Sequence, residues 1–217
     1  MKGMRHFEWM GQQLLLTGSR TIFWEEEKTL ILSDLHLGKT GHFRKSGIAV
    51  PQTVFKEDLF RLLSQIQFFK PRQVLVVGDF FHSSFNKELD LFSKWREDIS
   101  ATRFILVAGN HDILSKKWYQ KNAIELFDGL FDMGSFSFVH DIQDCAVSPA
   151  AYCFSGHIHP GIRINGTARH SLTLPCFYFS EKFAVLPAFG KFTGTAIIKP
   201  RSSDHVFAIV NENVMEM

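Results

Sequence analysis

Five apolar runs in this chain end in residues that ligate metals, and that arrangement constrains the fold more than any other feature. Ser33-Asp34-Leu35-His36 follows TLILS, Gly78-Asp79-Phe80-Phe81-His82 follows VLVV, and Gly109-Asn110-His111-Asp112 follows FILVA. Val139-His140-Asp141 and Ser155-Gly156-His157-Ile158-His159 end two later runs. Short, uninterrupted apolar runs suit strands covered on both faces. In open α/β sheets ligands bind beyond the carboxyl ends of the strands, so residues distant in sequence can share one pocket.

The intervening segments supply the connections. Between the first two strands, Val54, Phe55, Leu59, Leu62, Leu63 and Ile66 recur at helical spacing after Pro51, which predicts a crossover helix over Val54–Ile66. Glu88–Ser100 predicts a second, with Leu89, Phe92, Trp95 and Ile99 on one stripe. Strand, helix, strand, helix, strand implies right-handed parallel crossovers. After about residue 130 the pattern turns to short β-like runs at 136–139, 152–154, 171–174, 177–179, 183–186, 195–198 and 206–210. Turn signals at Gly134, Ser148-Pro149, Asn165-Gly166, Pro175, Pro187 and Gly190 separate them, which predicts an antiparallel second sheet. With no repeat or linker, the 217 residues are expected to form one domain.

Composition excludes several classes. Apolar residues make up 45% and charged residues 21%, as in soluble globular chains. The 23 Phe residues predict a Phe-rich core, the alternative being a row of exposed rings that stacks bases. A net charge of +2 does not demand a polyanionic partner, although Lys39, His42, Arg44 and Lys45 form a local basic cluster. Three cysteines, Cys145, Cys153 and Cys176, show no CxxC spacing. They suggest neither a disulfide framework nor a cysteine zinc site, and a reducing, cytoplasmic setting is expected. The N-terminal apolar run Leu14–Leu16 is far shorter than a signal core or a membrane span, so neither secretion nor membrane insertion is expected.

Imidazole and carboxylate without thiolate suit borderline divalent ions: Mn²⁺, Fe or Zn²⁺. Two such ions close together need an anionic group that touches both, and Asp79 is the candidate bridge. His157 and His159 alternate, so both can ligate only if the chain already turns at Gly156.

The order D-x-H, GD, GNHD, a lone His and GHxH resembles the calcineurin-like metallophosphoesterase superfamily. DLHLGK, HFRKSGIAVP, GDFFHS, GHIHPG and LPAFGKFTG resemble its PdeM branch, the DNA-ligase-associated DNA damage response endonucleases. The resemblance implies a four-layer α/β/β/α sandwich of two mixed sheets flanked by helices. It puts Asp34, His36, Asp79 and His159 on one ion, and Asp79, Asn110, His140 and His157 on the other. It makes His111 a neighbour of the metals that assists the leaving group while a metal-bridging hydroxide attacks phosphorus. His82 stands where the superfamily usually carries Asp or Arg, so the customary partner of the catalytic histidine is missing. Lys39, His42, Arg44, His82 and Asn110 are candidate substrate contacts, and Asp112 and Asp141 candidate supports of the ligands. His6, His170 and His205 fall outside every motif and are expected to be structural.

The resemblance implies a phosphodiesterase or endonuclease with two divalent ions, Mn²⁺ favoured, acting on nucleic acid in DNA repair, with a DNA ligase as implied partner. A phosphomonoesterase or nucleotide hydrolase is the alternative enzyme. A protein-binding scaffold is the alternative outside catalysis, and the full ligand set argues against it.

Overall fold

The computed structural model describes residues 3–39, 53–82, 87–147, 152–166 and 171–217. The candidates His42, Arg44 and Lys45, the turn signals Pro51 and Ser148-Pro149, and His170 lie outside them.

Parallel pairing forms where uninterrupted apolar runs alternate with helices. Strands β4 (Thr29–Leu32), β5 (Gln73–Val77), β6 (Arg103–Val107) and β7 (Ile124–Phe127) lie side by side in parallel. Helix α1 (Thr53–Phe69) connects the first two and α2 (Lys87–Asp98) the next two. Both helices start and end within a few residues of the positions that apolar spacing predicted. A short α3 (Lys116–Lys121), capped by the Ser115 hydroxyl, precedes β7.

The N-terminus adds what the apolar runs did not announce. An antiparallel meander of β1 (Met4–Trp9), β2 (Gln12–Thr17) and β3 (Ile22–Trp24) joins the edge of β4, completing a seven-stranded mixed sheet.

The second sheet comprises β8 (Phe131–Met133), β9 (Phe136–Val139), β10 (Tyr152–Ser155), β11 (Pro160–Asn165), β12 (Ser171–Phe179), β13 (Phe183–Val185), β14 (Ala196–Ile197), β15 (His205–Val210) and β16 (Asn213–Glu216). The turn-separated runs predicted an antiparallel sheet, but this one is mixed: β9, β10 and β13 run parallel while the pairs around β12 are antiparallel. A 3₁₀ turn at Ile142–Val147 leads from β9 towards β10.

Pro175 is not the turn that its residue type suggested. The two expected runs 171–174 and 177–179 are one strand, in which Pro175 is the last residue paired with β11 and Cys176 the first paired with β15. A residue without an N–H fits where a strand changes partners.

The strand pleat sorts the core into two layers. Leu30, Leu32, Val74, Val76, Phe104 and Leu106 face Leu59, Leu62, Ile66 and Phe92 of the helices. Ile31, Leu75, Val77, Ile105 and Val107 face the second sheet, meeting Phe136, Phe138, Phe154, Phe177, Phe179 and Phe207. Buried phenylalanines fill both layers, Phe55, Phe80, Phe81, Phe92, Phe104 and Phe189 on the helix side and the six named above between the sheets, where Phe136–Phe154 and Phe154–Phe179 make edge contacts with centroids 4.9 and 5.9 Å apart.

Another expectation is corrected. The odd cysteine count argued against a disulfide, but Cys145 of the 3₁₀ turn is bonded to Cys153 of β10, and Cys176 alone is free and buried. The two partners are eight positions apart, on segments that the sheet brings together, a proximity that spacing motifs do not encode. No helix among the described residues is long and apolar enough to cross a membrane.

Candidate metal centre

The loops after β4 and β5 run side by side through backbone hydrogen bonds. Asp34 N–H donates to Gly78 O (3.1 Å), His36 N–H to Asp79 O (2.9 Å) and Leu37 N–H to Phe80 O (2.9 Å). This pairing is built from unusual backbone: Asp34, His36 and Asp79 have φ of 52°, 51° and 49°, and His157 and His159 have 65° and 52°. Left-handed non-glycine residues cost of order 1–3 kcal/mol each and cluster at functional sites. Asp and His are among the types that tolerate the region best. The turn required at Gly156 is present, since β10 ends at Ser155 and both histidines point from left-handed positions.

Glycine keeps space for the side chains. Gly78, at φ 78°, leaves room for the His140 imidazole, which a Cβ would overlap. A Cβ on Gly156 would lie 2.5 Å from Asp34 Oδ2 and 2.8 Å from Val77 O.

Two groups of donor atoms result. In the first, His159 Nε2 lies 3.2 Å from Asp34 Oδ1, and His36 Nε2 lies 4.0 Å from Asp34 Oδ1 and 3.5 Å from His159 Nε2. In the second, His140 Nε2 lies 3.5 Å from Asp79 Oδ2 and 3.1 Å from His157 Nδ1, with Asp34 also within reach. Asp79 Oδ2 is 3.8 Å from His36 Nε2 as well, so this one oxygen faces a histidine of each group. Its other oxygen accepts the His111 N–H at 2.9 Å. Asn110 sits exposed in the turn between Gly109 and His111, and among the described residues no hydrogen bond joins its side chain to either group.

The donor set fits divalent cations. Asp34 and Asp79 are 0% and 3% exposed, and buried carboxylates need compensating charge. Burial, with Lys39, His159, His82 and His111 adding repulsion, pushes the His36 pKa from 6.5 down to about 2. That imidazole is a neutral donor and cannot supply the charge. Two buried carboxylates ringed by imidazole nitrogens would hold hard-to-borderline divalent ions, and the set lacks the thiolate that a structural zinc site favours.

Around this centre the sequence candidates divide. The His111 ring is half exposed with Nε2 4.0 Å from Asp79 Oδ2, and the His82 ring packs against it at 4.3 Å between centroids. His82 thus occupies the place beside the candidate acid where an Asp or Arg was missing. Lys39 stands close enough to feel the charges of Asp79 and Asp34, which oppose the lowering of its pKa by burial. Asp112 does not orient a histidine. Its carboxylate accepts N–H bonds from Phe80 (3.3 Å), Phe81 (3.0 Å) and Gly109 (2.9 Å), tying the second and third ligand loops together. Burial drives its pKa up to about 7 against those donors. Asp141 Oδ2 lies 3.8 Å from His157 Nε2, near it but beyond hydrogen-bond length.

Sequence reasoning missed the support of the first ligand loop, because LPAFGKFTG has no ligand types. Ala188 bridges Ser33, Phe189 N–H donates to Ser33 O (2.8 Å), Gly190 N–H donates to Asp34 O (3.1 Å), and Gly194 O meets His159 Nδ1 at 3.2 Å. This loop is held from behind by two partly buried guanidinium groups: Arg20 donates to Ala188 O and Gly190 O, and Arg61 donates to Phe189 O and stacks over its ring at 4.1 Å. Asp58 binds Arg61 at 2.9 Å and is raised in pKa chiefly by burial. Removing one partner of a buried pair costs about 3 kcal/mol or more. Arg61→Ala is therefore expected to lower the urea unfolding free energy by about 3 kcal/mol; a loss under roughly 0.5 kcal/mol, the usual range for exposed sites, would show that the pair does not hold the loop.

The family model for the calcineurin-like phosphoesterase domain matches residues 27–157. The crystal structure of Pseudomonas putida nuclease MPE superposes with a TM-score of 0.81 at 26% identity, covering 98% of this chain and 100% of that one. The phosphoesterase Yfce from E. coli aligns at 10% identity and a TM-score of 0.42 over 84% of this chain and 88% of its own. No curated protein sequence matches significantly. With the family model spanning more than half of the sequence and every ligand candidate except His159 inside it, the chain belongs to the calcineurin-like phosphoesterase family and is a hydrolase of phosphoester bonds.

Proposed function

We propose that the chain is a nucleic-acid phosphodiesterase, an endonuclease acting in DNA repair with Mn²⁺ as its working ion. The observation that supports a centre for two ions is the pair of adjoining donor groups that share Asp34, with one Asp79 oxygen 3.8 Å from His36 Nε2 and 3.5 Å from His140 Nε2. Similarity over the whole of both chains to a nuclease favours a diester in nucleic acid as substrate. Asp34, His36 and His159 would hold one ion and Asn110, His140 and His157 the other, with Asp79 common to both. Bound divalent ions supply positive charge opposite the phosphate oxygens and lower the pKa of water towards ~7.

The remaining work falls to side chains at the open face. His111, half exposed beside Asp79, protonates the departing oxygen, a role that imidazole fills near neutral pH. His82 packs on its ring and limits how it turns. Lys39 contributes a cation to the phosphate, joined in this reading by the sequence candidates His42 and Arg44. The repair role and association with a DNA ligase rest on the resemblance of the motifs. A deletion strain surviving DNA damage as well as its parent contradicts the former.

The test is enzymatic. After chelation and addition of Mn²⁺, the protein is expected to cut a single-stranded oligonucleotide internally and to turn over bis(p-nitrophenyl) phosphate with a kcat/KM at least about ten-fold above p-nitrophenyl phosphate, a 1.4 kcal/mol preference. The reverse preference, with no oligonucleotide cleavage, would make it a monoesterase.

A further inference from the structure

Most of the phenylalanines are buried between layers, but Phe192 is 47% exposed, and it stands beside the metal centre. It occupies the middle of the loop whose two ends are fastened to ligand residues: Gly190 N–H to Asp34 O on one side, and Gly194 O to His159 Nδ1 on the other. Thr193 Oγ1 donates to Gly190 O at 2.8 Å, closing the loop on itself. Phe192 and Thr193 line a shallow open cleft with His36, Lys39, Phe55 and Asp58, whose cavity volume is about 20 Å³, so that a planar group would lie on its surface. One wall is thus a metal-ligand candidate and an ammonium, and the other an exposed aromatic face with aliphatic neighbours.

An exposed ring is costly in water and common singly on surfaces. Here it shares one cleft with Lys39 and the ligand candidate His36. A phosphate and a planar base are separated by one sugar in any nucleotide, so a phosphate bound near His36 would bring its base to this side of the cleft. We propose that Phe192 is a specificity-determining residue that stacks the nucleobase flanking the scissile phosphate, with Lys39 contacting the adjacent phosphate. This rests on the reading of the substrate as nucleic acid. Base stacking on an aromatic side chain tolerates every base, so the preference it confers is for nucleotides over other diesters, without sequence selectivity.

The test compares Phe192→Ala, Phe192→Trp and the parent enzyme, loaded with Mn²⁺, on an oligothymidylate and on methyl p-nitrophenyl phosphate, a diester without a base. Stacking is worth a factor of roughly 5 to 150 per base. In Phe192→Ala the loss of kcat/KM on the oligonucleotide is expected to exceed the loss on methyl p-nitrophenyl phosphate by about ten-fold or more, chiefly through KM. Phe192→Trp is expected to restore it. Equal losses on both substrates, or an oligonucleotide KM that does not respond, would overturn the stacking role while leaving the nuclease reading intact. A parent enzyme that cleaves methyl p-nitrophenyl phosphate but no oligonucleotide would overturn both. The ring is exposed, so an unchanged melting temperature confirms that the variants are folded.

Discussion

Asp79→Asn is expected to fold, to lose at least one of its two ions, and to lose activity by more than the roughly 10–100-fold that removal of a supporting partner alone produces. The substitution is nearly isosteric. Its amide oxygen can still accept the His111 N–H that Asp79 Oδ1 accepts at 2.9 Å, so the turn after β6 keeps its anchor. What disappears is the charge on the oxygen that lies 3.8 Å from His36 Nε2 and 3.5 Å from His140 Nε2. Asp79 is buried, and removing a carboxylate that lacks a counter-charge relieves a desolvation cost. The metal-free variant should therefore melt no lower than the metal-free parent. Atomic emission for metal content, read beside turnover of bis(p-nitrophenyl) phosphate, checks both halves. Retention of two ions and full turnover would remove Asp79 from the bridging role.

The second large effect is kinetic. His111→Ala keeps the backbone N–H that binds Asp79 and removes only a half-exposed ring, so metal content should stay at the parental value. General acid catalysis contributes about 10²–10⁴ in rate, and it matters in proportion to how poor the leaving group is. The expected loss in kcat is therefore in that range for an oligonucleotide, whose leaving group is an alkoxide, and much smaller for a nitrophenyl ester. Equal loss on both would assign His111 to binding or to structure. His82 refines the expectation, because its ring lies 4.3 Å from that of His111. His82→Ala should reproduce part of the His111 defect through a less ordered acid.

How much of this was legible in the sequence depends on how local the signal is. The parallel strands could be read because both faces of β4, β5 and β6 are covered, leaving unbroken apolar runs. The ligand residues could be read because they follow those runs directly. The N-terminal meander could not: β1 shows only alternate partial burial and β3 is three residues long, so neither offers a run that rises above its surroundings. Pro175 misled because its residue type usually marks a turn, whereas the strand uses it while changing partners. The Cys145–Cys153 bond depends on how the 3₁₀ turn lies over β10.

The site shows the same division. Residue types announced the imidazole and carboxylate donors, but the left-handed backbone at Asp34, His36, Asp79, His157 and His159 is a property of paired loops, invisible until the loops are side by side. The block LPAFGKFTG was recognisable only as a motif. Its physical role, carrying backbone contacts to Ser33, Asp34 and His159 while Arg20 and Arg61 hold it from behind, comes from residues distant in sequence, all but His159 more than 120 positions away. Phe192 belongs to the same block, and its exposure next to His36 and Lys39 distinguishes it from the phenylalanines of the core.

The central claim is that Asp34, His36, Asp79, Asn110, His140, His157 and His159 form one centre for two ions. The most direct measurement is the metal stoichiometry of the purified protein after chelation and reconstitution with Mn²⁺, titrated against hydrolysis of bis(p-nitrophenyl) phosphate. The account predicts activity that is absent from the stripped protein and rises to a plateau as about two ions bind per chain, the number a shared carboxylate is placed to serve. A plateau at one ion, or full hydrolysis by protein stripped of metal, would contradict it.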